Sequence, residues 1–435
     1  MSIGAADREG RVQRLLPVDG AGGLPAPGGG PCRLCGQPLT DVFVDLGMSP
    51  PCESYLPRER LEAAETFYPL RVWICSACLL VQLPPHIPAK DIFSDYAYFS
   101  SYSSSWVEHA RAFTDRAVER LGLDSSSLVV EVASNDGYLL QHLVARGVPV
   151  LGVEPAANVA AAAREKGVPT HVAFLGEEEG RRLRSRHGPA GLVVANNVFA
   201  HVPDVQDFSR GLAALLADDG WLSIEVPHLM RLIERAQYDT IYHEHFSYYT
   251  LLTAQRVLAT AGLSVVDVEE LASHGGSLRI WARHEHHAGS RTRAVDDVLA
   301  EEERRGLHTL DGHRGFADAV ARVKRDLVTF LASAANDGRR VAGYGAPGKG
   351  NTLLNHCGIR SDLLPYTVDR NPHKQGMYLP GTHIPVLAPE VIDVDRPDFV
   401  LLLPWNLRRE ITAQLAHVRD WGGRFVVPIP HLDID

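Results

Sequence analysis

Two groups of side chains in this 435-residue chain have the types and spacing to do chemistry. The first is metal-ligating. Cys32 and Cys35 stand in "PCRLCG", and Cys75 and Cys78 in "WICSACLL". Each Cys-x-x-Cys pair offers two thiolates to one ion, and two pairs complete the tetrahedral shell that Zn²⁺ prefers. A filled Cys₄ shell has no open position, so this zinc is expected to hold a fold and not to catalyse. Disulfides or a redox dithiol fit less well, because no secretory signal and no thioredoxin-like βαβ pattern accompanies the pairs. Cys52 and Cys357 belong to neither pair and read as ordinary buried thiols.

The second group is "YHEHFSYY", which crowds Tyr242, His243, Glu244, His245, Tyr248 and Tyr249 into one short stretch. Extended, it would turn Tyr242 and Glu244 one way and His243 and His245 the other. As a turn or helix start, it would let several of them converge on one pocket. The zincin pattern H-E-x-x-H is absent, and two such histidines make no complete metal shell. Imidazoles beside a carboxylate and phenols suit removal of a weakly acidic proton. Abstraction next to a ketone needs a base on carbon and a donor on the developing enolate oxygen, and both types are present. The plainer alternative is a solvated polar loop whose tyrosines pack against a sheet. His201 adds an imidazole just beyond a predicted strand.

The elements that must position these groups are readable from periodicity. "SLVVEVASNDGYLLQHLVARGVPVLGVEPAANVAAAAREKGV" alternates buried strand, tight turn, amphipathic helix and second strand, a βαβ unit that begins a doubly wound sheet. The first strand ends at Glu131, and the turn carries Ala133, Asn135 and Gly137 over its carboxyl end. The second ends at Glu154, where an acid can accept from ribose hydroxyls. A later strand, "GLVVANN", ends at Asn196 and Asn197. This arrangement resembles class I S-adenosylmethionine-dependent methyltransferases, in which the first turn holds the methionine part and the second-strand acid the ribose. Ala133 and Asn135 stand where that family commonly has glycine.

In the last third, "HGGSLRIWARH" brings Ser277 and Arg279 as donors beside paired glycines. After a long helical region, "RRVAGYGAPGKGNTLLNHCG" gives strand, glycine-rich loop and helix. Gly343, Gly345 and Gly348 satisfy G-x-G-x-x-G, and Asp369 follows at about the twenty-residue offset of an NAD-binding fingerprint. Pro347 and Lys349 inside the turn weaken that reading. A lysine at a helix N-terminus equally suits any fixed diphosphate, with Asn351 as a further donor.

Composition narrows the class. Apolar content of 45% and charged content of 22% are those of a soluble globular protein. A net charge of -10 argues against a nucleic-acid partner. No apolar run is long enough to span a bilayer, and the Gly/Pro/Ala-rich start lacks a signal peptide's apolar core, so a cytoplasmic location without a membrane partner is expected.

Taken in order, the cysteine pairs, the methyltransferase-like unit with "YHEHFSYY", "GGSLR" and "GYGAPGKGN" resemble the nucleotide-sugar C-methyltransferases. The nearest resemblance is to the C-3 enzymes acting on dTDP-4-keto-deoxysugars in antibiotic pathways. After a Gly/Pro/Ala-rich start that reads from its composition as a disordered leader (1–30), the resemblance implies an α/β chain with a zinc-ribbon module (31–90), a class I methyltransferase doubly wound sheet (91–285) and a C-terminal Rossmann-like domain (286–435). That last domain would bind a sugar nucleotide and not NAD. S-adenosylmethionine and structural zinc are the implied cofactors. Glu131, Ala133, Asn135, Gly137, Glu154, Asn196 and Asn197 would surround the first, with Cys32, Cys35, Cys75 and Cys78 on the second. Tyr242, Glu244, His245 and His201 would lie at the reacting sugar. Tyr96, Tyr98, Ser277, Arg279, Lys349 and Asn351 would hold its nucleotide. The implied reaction removes the C3 hydrogen with His245, holds the enolate with Tyr242 or His201, and transfers a methyl group to C3. An NAD-dependent sugar oxidoreductase and a degenerate methyltransferase serving as a scaffold are the competing readings.

Overall fold

The computed structural model describes residues 28–93 and 99–435. Three sheets organise them. The first consists of β1 (Asp41–Ser49), β2 (Tyr68–Ile74), β3 (Val81–Gln82) and β9 (Ser247–Tyr248), each antiparallel to the next. Alternation along β2 sends Leu70, Val72 and Ile74 into one core, while Trp73 joins the cysteines in another. The fourth strand comes from the tyrosine-histidine stretch, far outside 31–90. Its pairing satisfies the edge of β3, which would otherwise leave backbone donors and acceptors open.

The second sheet runs β10 (Leu263–Leu271), β11 (Ser277–His284), β8 (Leu216–Pro227), β7 (Ala190–Asn196), β4 (Val129–Val132), β5 (Val150–Val153), β6 (Thr170–His171). From β8 to β6 the pairs are parallel, and β11 and β10 add two antiparallel ones. Every residue of β4 and β5 is buried, as strands covered on both faces require. The strand order reverses between β4 and β7, which opens a crevice at their carboxyl ends. One covering helix, Ser104–Leu121, starts where the Ser103 hydroxyl accepts from the Trp106 N–H and stops at Gly122, φ 63°.

The third sheet runs β14 (Val386–Leu387), β13 (Thr367–Val368), β12 (Val341–Tyr344), β15 (Phe399–Leu402), β16 (Arg424–Val427), β17 (Asp433–Ile434), parallel except for the last pair. It shares one core with the first sheet. Phe43 of β1 stacks on Phe316, which opens the helix Phe316–Asn336, with ring centroids 4.7 Å apart. No helix among the described residues is long and apolar enough to cross a membrane.

Candidate active site

A cavity of about 580 Å³ opens at the carboxyl ends of β4, β5 and β7, and the glycine-rich loop after β12 forms its far wall. Strand geometry brings Ala133, Asn135, Glu154, Asn196 and Asn197 to its lining. Ala133 (φ 55°), Asn135 (φ 49°), Gly137 (φ 76°) and Asn197 (φ 53°) all take left-handed backbone. The turn therefore keeps the conformation glycine normally supplies, with side chains at two of those places. Glu154 organises it: one carboxylate oxygen accepts from the Asn135 N–H (3.0 Å), the other from the Ala156 N–H (2.9 Å). Burial raises the Glu154 pKa against those two bonds. Both amide atoms of Asn197 and the Asn196 oxygen are buried without a partner among the described residues, leaving them free for a ligand. Glu131 and Gly137 stay behind this surface. The Glu131 carboxyl is buried and unpaired, which pushes its pKa well above the ordinary value. Gly137 fits under Val168, where a Cβ would come within 3.0 Å.

"YHEHFSYY" forms a turn, and this settles which side chains converge. The His245 N–H bonds the Tyr242 carbonyl at 2.9 Å, and Tyr242, Glu244 and His245 all reach the cavity. His243 is turned out toward Tyr68 and His86, with ring centroids at 5.8 and 6.5 Å. The His245 ring lies 4.1 Å from that of Tyr242 and 4.6 Å from that of His201. Its Nδ1 is 2.8 Å from the Thr240 carbonyl oxygen. A carbonyl only accepts, so the proton sits on Nδ1 and the lone pair is on Nε2. Burial, then the His201 ring, keep the His245 imidazolium well below the ordinary range, and burial brings His201 to about 4. Both rings are neutral at ordinary pH. Burial also pushes the Tyr242 phenol well above its usual value, so it stays a proton donor. This is the constellation for taking a proton from carbon next to a carbonyl.

Of the remaining expected ligand-holding residues, Lys349 lines the cavity, with Nζ 2.5 Å from Asn406 Oδ1 and 4.9 Å from the Trp405 ring centroid. Burial lowers its pKa, while Asp239 opposes that. Asn351 is buried behind the loop, where its amide donates to the Cys52 carbonyl at 2.6 Å. Ser277 and Arg279 do not reach the lining. The Ser277 hydroxyl donates to Ser273 O, and the Arg279 guanidinium is wholly buried on Glu225 at 2.6 Å. Burial works against charge on Glu225, yet the His109 hydrogen bond and Arg279 outweigh it and bring the carboxyl down to about 2. Arg279 thus stiffens β8 and β11 under the cavity instead of meeting a ligand, because its strand turns it inward opposite Glu225. Tyr96 and Tyr98 lie outside the described residues.

Sequence reasoning missed Cys52, Trp106 and His274, all in the cavity wall. Cys52 Sγ lies 3.8 Å from a Glu244 oxygen. The segment between the cysteine pairs crosses to the glycine-rich loop: Tyr55 and Lys374 both donate to the Ala346 carbonyl, at 2.5 and 2.8 Å. Gly348 has no room for a Cβ there, since Cys52 Sγ would sit 2.9 Å away. Nothing local in "SPPCESYL" signals such a crossing.

The four cysteine sulfurs lie within 4.8 Å of one another, with Cys32–Cys78 and Cys35–Cys75 at 3.5 Å, close to the edges of a tetrahedron of Zn–S bonds. Gln82 Nε2 donates to Cys32 Sγ at 3.1 Å, the outer-shell support a thiolate site needs. The donor set fits zinc.

An expected result follows from the Glu154 geometry. Glu154→Ala removes a carboxylate from the cavity lining and the anchor of the Asn135 N–H. Calorimetry should show S-adenosylhomocysteine binding weakened by about 1.5–3 kcal/mol, the range for hydrogen bonds to charged groups. Unchanged affinity would remove Glu154 from the cofactor site.

Three family models match successive parts of the chain: "Putative zinc binding domain" over residues 32–93, "Methyltransferase domain" over 106–268 and "C-methyltransferase C-terminal domain" over 272–430. Among curated proteins, the C-methyltransferase NovU of Streptomyces niveus is 39% identical over 399 residues, covering 92% of this chain and 95% of NovU. Solved structures align over less than half of the chain. A magnesium protoporphyrin IX methyltransferase (ChlM) from Synechocystis PCC 6803 is 17% identical over 41% of this chain and 81% of its own, with a TM-score of 0.31. An S-adenosylmethionine-dependent methyltransferase from Clostridium acetobutylicum ATCC 824 is 11% identical over 41% of this chain and 91% of its own, with a TM-score of 0.33.

Proposed function

The chain belongs to the zinc-binding, S-adenosylmethionine-dependent C-methyltransferase family, and from that premise we propose that it methylates C3 of a dTDP-linked 4-keto-deoxysugar. The observation that carries this reading is the neutral His245, its Nε2 lone pair free of the Thr240 bond, beside a protonated Tyr242 in the cavity. A base and a phenol side by side suit a carbon acid next to a ketone, and methylation of oxygen or nitrogen has less need of both.

In this reading Glu154, Asn196, Asn197 and the turn 133–137 hold the cofactor, which when bound supplies a methyl group already activated on a sulfonium. Lys349 faces the anionic part of the nucleotide from the glycine-rich loop. His245 Nε2 takes the C3 proton. The electron pair of that C–H bond moves into the C3–C4 bond, and the C4 oxygen gains charge. Tyr242 donates to that oxygen. His201 crowds His245 so that the imidazolium gives its proton back readily. The buried walls keep water from the enolate.

The test is incubation of a dTDP-4-keto-6-deoxysugar with enzyme and S-adenosylmethionine, followed by mass spectrometry and carbon NMR of the product. One added methyl on C3 is expected. A methyl on C5, the other carbon beside the ketone, would keep the chemistry and overturn the position. A methyl on oxygen or nitrogen would overturn the proposal.

A further inference from the structure

The cofactor turn departs from glycine at Asn135, and the structure shows what that side chain does. Asn135 keeps left-handed backbone, which a side chain makes less comfortable than glycine would. Its Oδ1 accepts the Ser100 N–H at 2.9 Å, while its own N–H is held by Glu154 at 3.0 Å. The next residue repeats the connection. Asp136 Oδ2 accepts from the Ser101 N–H at 3.3 Å and from Lys166 Nζ at 2.9 Å, and Lys166 also reaches the Ser101 hydroxyl at 2.5 Å. Ser100 lines the cavity, and so does Trp106 in the first turn of the helix that follows.

We propose that Asn135 is a positioning residue that fastens Ser100, in the cavity wall, and the segment after it to the cofactor turn, so that filling the cofactor end of the cavity orders the wall that the second ligand meets. Hydroxyls arriving at Glu154 stiffen the carboxylate that holds the Asn135 backbone. The Asn135 side chain then passes that restraint to Ser100 across one buried hydrogen bond. A cofactor that rigidifies the turn lowers the ordering cost the second ligand meets, and the two bindings become cooperative. Glycine at 135 could adopt the same backbone but could not make this connection. Only the sugar arm of the test below depends on the substrate proposed above.

Proline at position 100 isolates the bond. Phe99 is already extended (φ -112°, ψ 117°), as a residue before proline must be, and Ser100 opens a short 3₁₀ turn, where proline is accommodated. Ser100→Pro therefore removes the N–H that Asn135 accepts, and Ser100→Ala removes only the hydroxyl. Amide hydrogen exchange is measured with and without S-adenosylhomocysteine. In wild type and Ser100→Ala, the ligand should slow exchange both in 133–140 and in 101–108. In Ser100→Pro protection at 133–140 should persist while that at 101–108 falls to what the Asp136–Ser101 bond alone carries, and Asn135→Gly should likewise lose protection at 101–108. The apparent KM for the sugar nucleotide should rise on the order of tenfold in Ser100→Pro, within the usual range of coupling between sites. Equal protection of 101–108 in wild type and Ser100→Pro would overturn the proposal, as would no protection there in wild type. If Ser100→Pro does not fold, the exchange of Asn135→Gly decides in the same way. Failure of wild type to methylate any nucleotide sugar would remove the substrate reading and leave the exchange result standing.

Discussion

His245→Asn should abolish both exchange of the C3 hydrogen with deuterated water and methyl transfer, by about 10²–10⁴-fold each, the usual contribution of a positioned base. Asparagine can still donate to the Thr240 carbonyl but offers no basic nitrogen, so the turn is kept and the chemistry lost. Cofactor binding should persist, because Glu154 and the turn 133–137 are untouched. Exchange is measured with a dTDP-4-keto sugar and no methyl donor, which isolates proton removal from alkylation. A mutant that exchanged C3 as fast as wild type would clear His245 of the role and leave Tyr242 or His201 as candidates. The pH dependence adds a second constraint. As the proposed base His245 would act as the neutral ring, and its folded pKa is depressed, so the acidic limb of the rate should fall below the ordinary imidazole value of 6.5. Stability moves in the same direction and must be followed separately. His201, at about 4 when folded against 6.5 unfolded, binds more protons unfolded in between, so stability declines as pH falls through that window. Circular dichroism across the same range separates lost base from lost fold.

Much of this architecture could be read because its causes are local. The apolar runs of β4 and β5, interrupted in β4 only by Glu131, announce a doubly covered parallel sheet, and paired cysteines at metal-ligand spacing announce their partner. Glu154 and the double asparagine are found because they end strands, and strand ends face the crevice in this topology. The tyrosine-histidine stretch could be located but not oriented. An extended backbone would keep His243 and His245 on one side and a turned one separates them, and only the turn that packs against β3 decides between the two. Arg279 went the other way. A lone arginine near paired glycines looks like a ligand donor, yet its partner Glu225 lies on a neighbouring strand fixed by sheet register. The place of Cys52 in the cavity and the side-chain contact of Asn135 were opaque for the same reason: their partners, Glu244 and Ser100, reach them only through tertiary folding.

The second large effect should come from the metal, and it should reach the active site. Protein purified without chelator should carry one zinc per chain. Cys75→Ser should remove it, whereas Cys357→Ser, which only loses a contact with the Tyr238 hydroxyl, should not. Structural zinc contributes about 10–16 kcal/mol of apparent binding energy to small domains that fold around it, so the module holding Cys32 to Gln82 should unfold or melt far earlier. The damage should not stop there. β3 follows the second cysteine pair directly and carries β9, the strand that follows the Tyr242–His245 turn. The Leu83 N–H bonds the Phe246 carbonyl at 3.0 Å, and the Phe246 N–H bonds the Ala200 carbonyl at 2.7 Å, so His201 and His245 hang from one backbone chain. From the knuckle itself, Arg33 donates to the Pro203 carbonyl at 3.0 Å, and Gln206 returns a bond to the Leu34 carbonyl at 2.9 Å. Losing zinc should therefore cost methyl transfer although none of Cys32, Cys35, Cys75 and Cys78 lines the cavity. Exchange at C3 should fall with it, because the base loses its support. Elemental analysis finding no zinc, or a Cys75→Ser protein with wild-type melting and turnover, would sink this account of the metal.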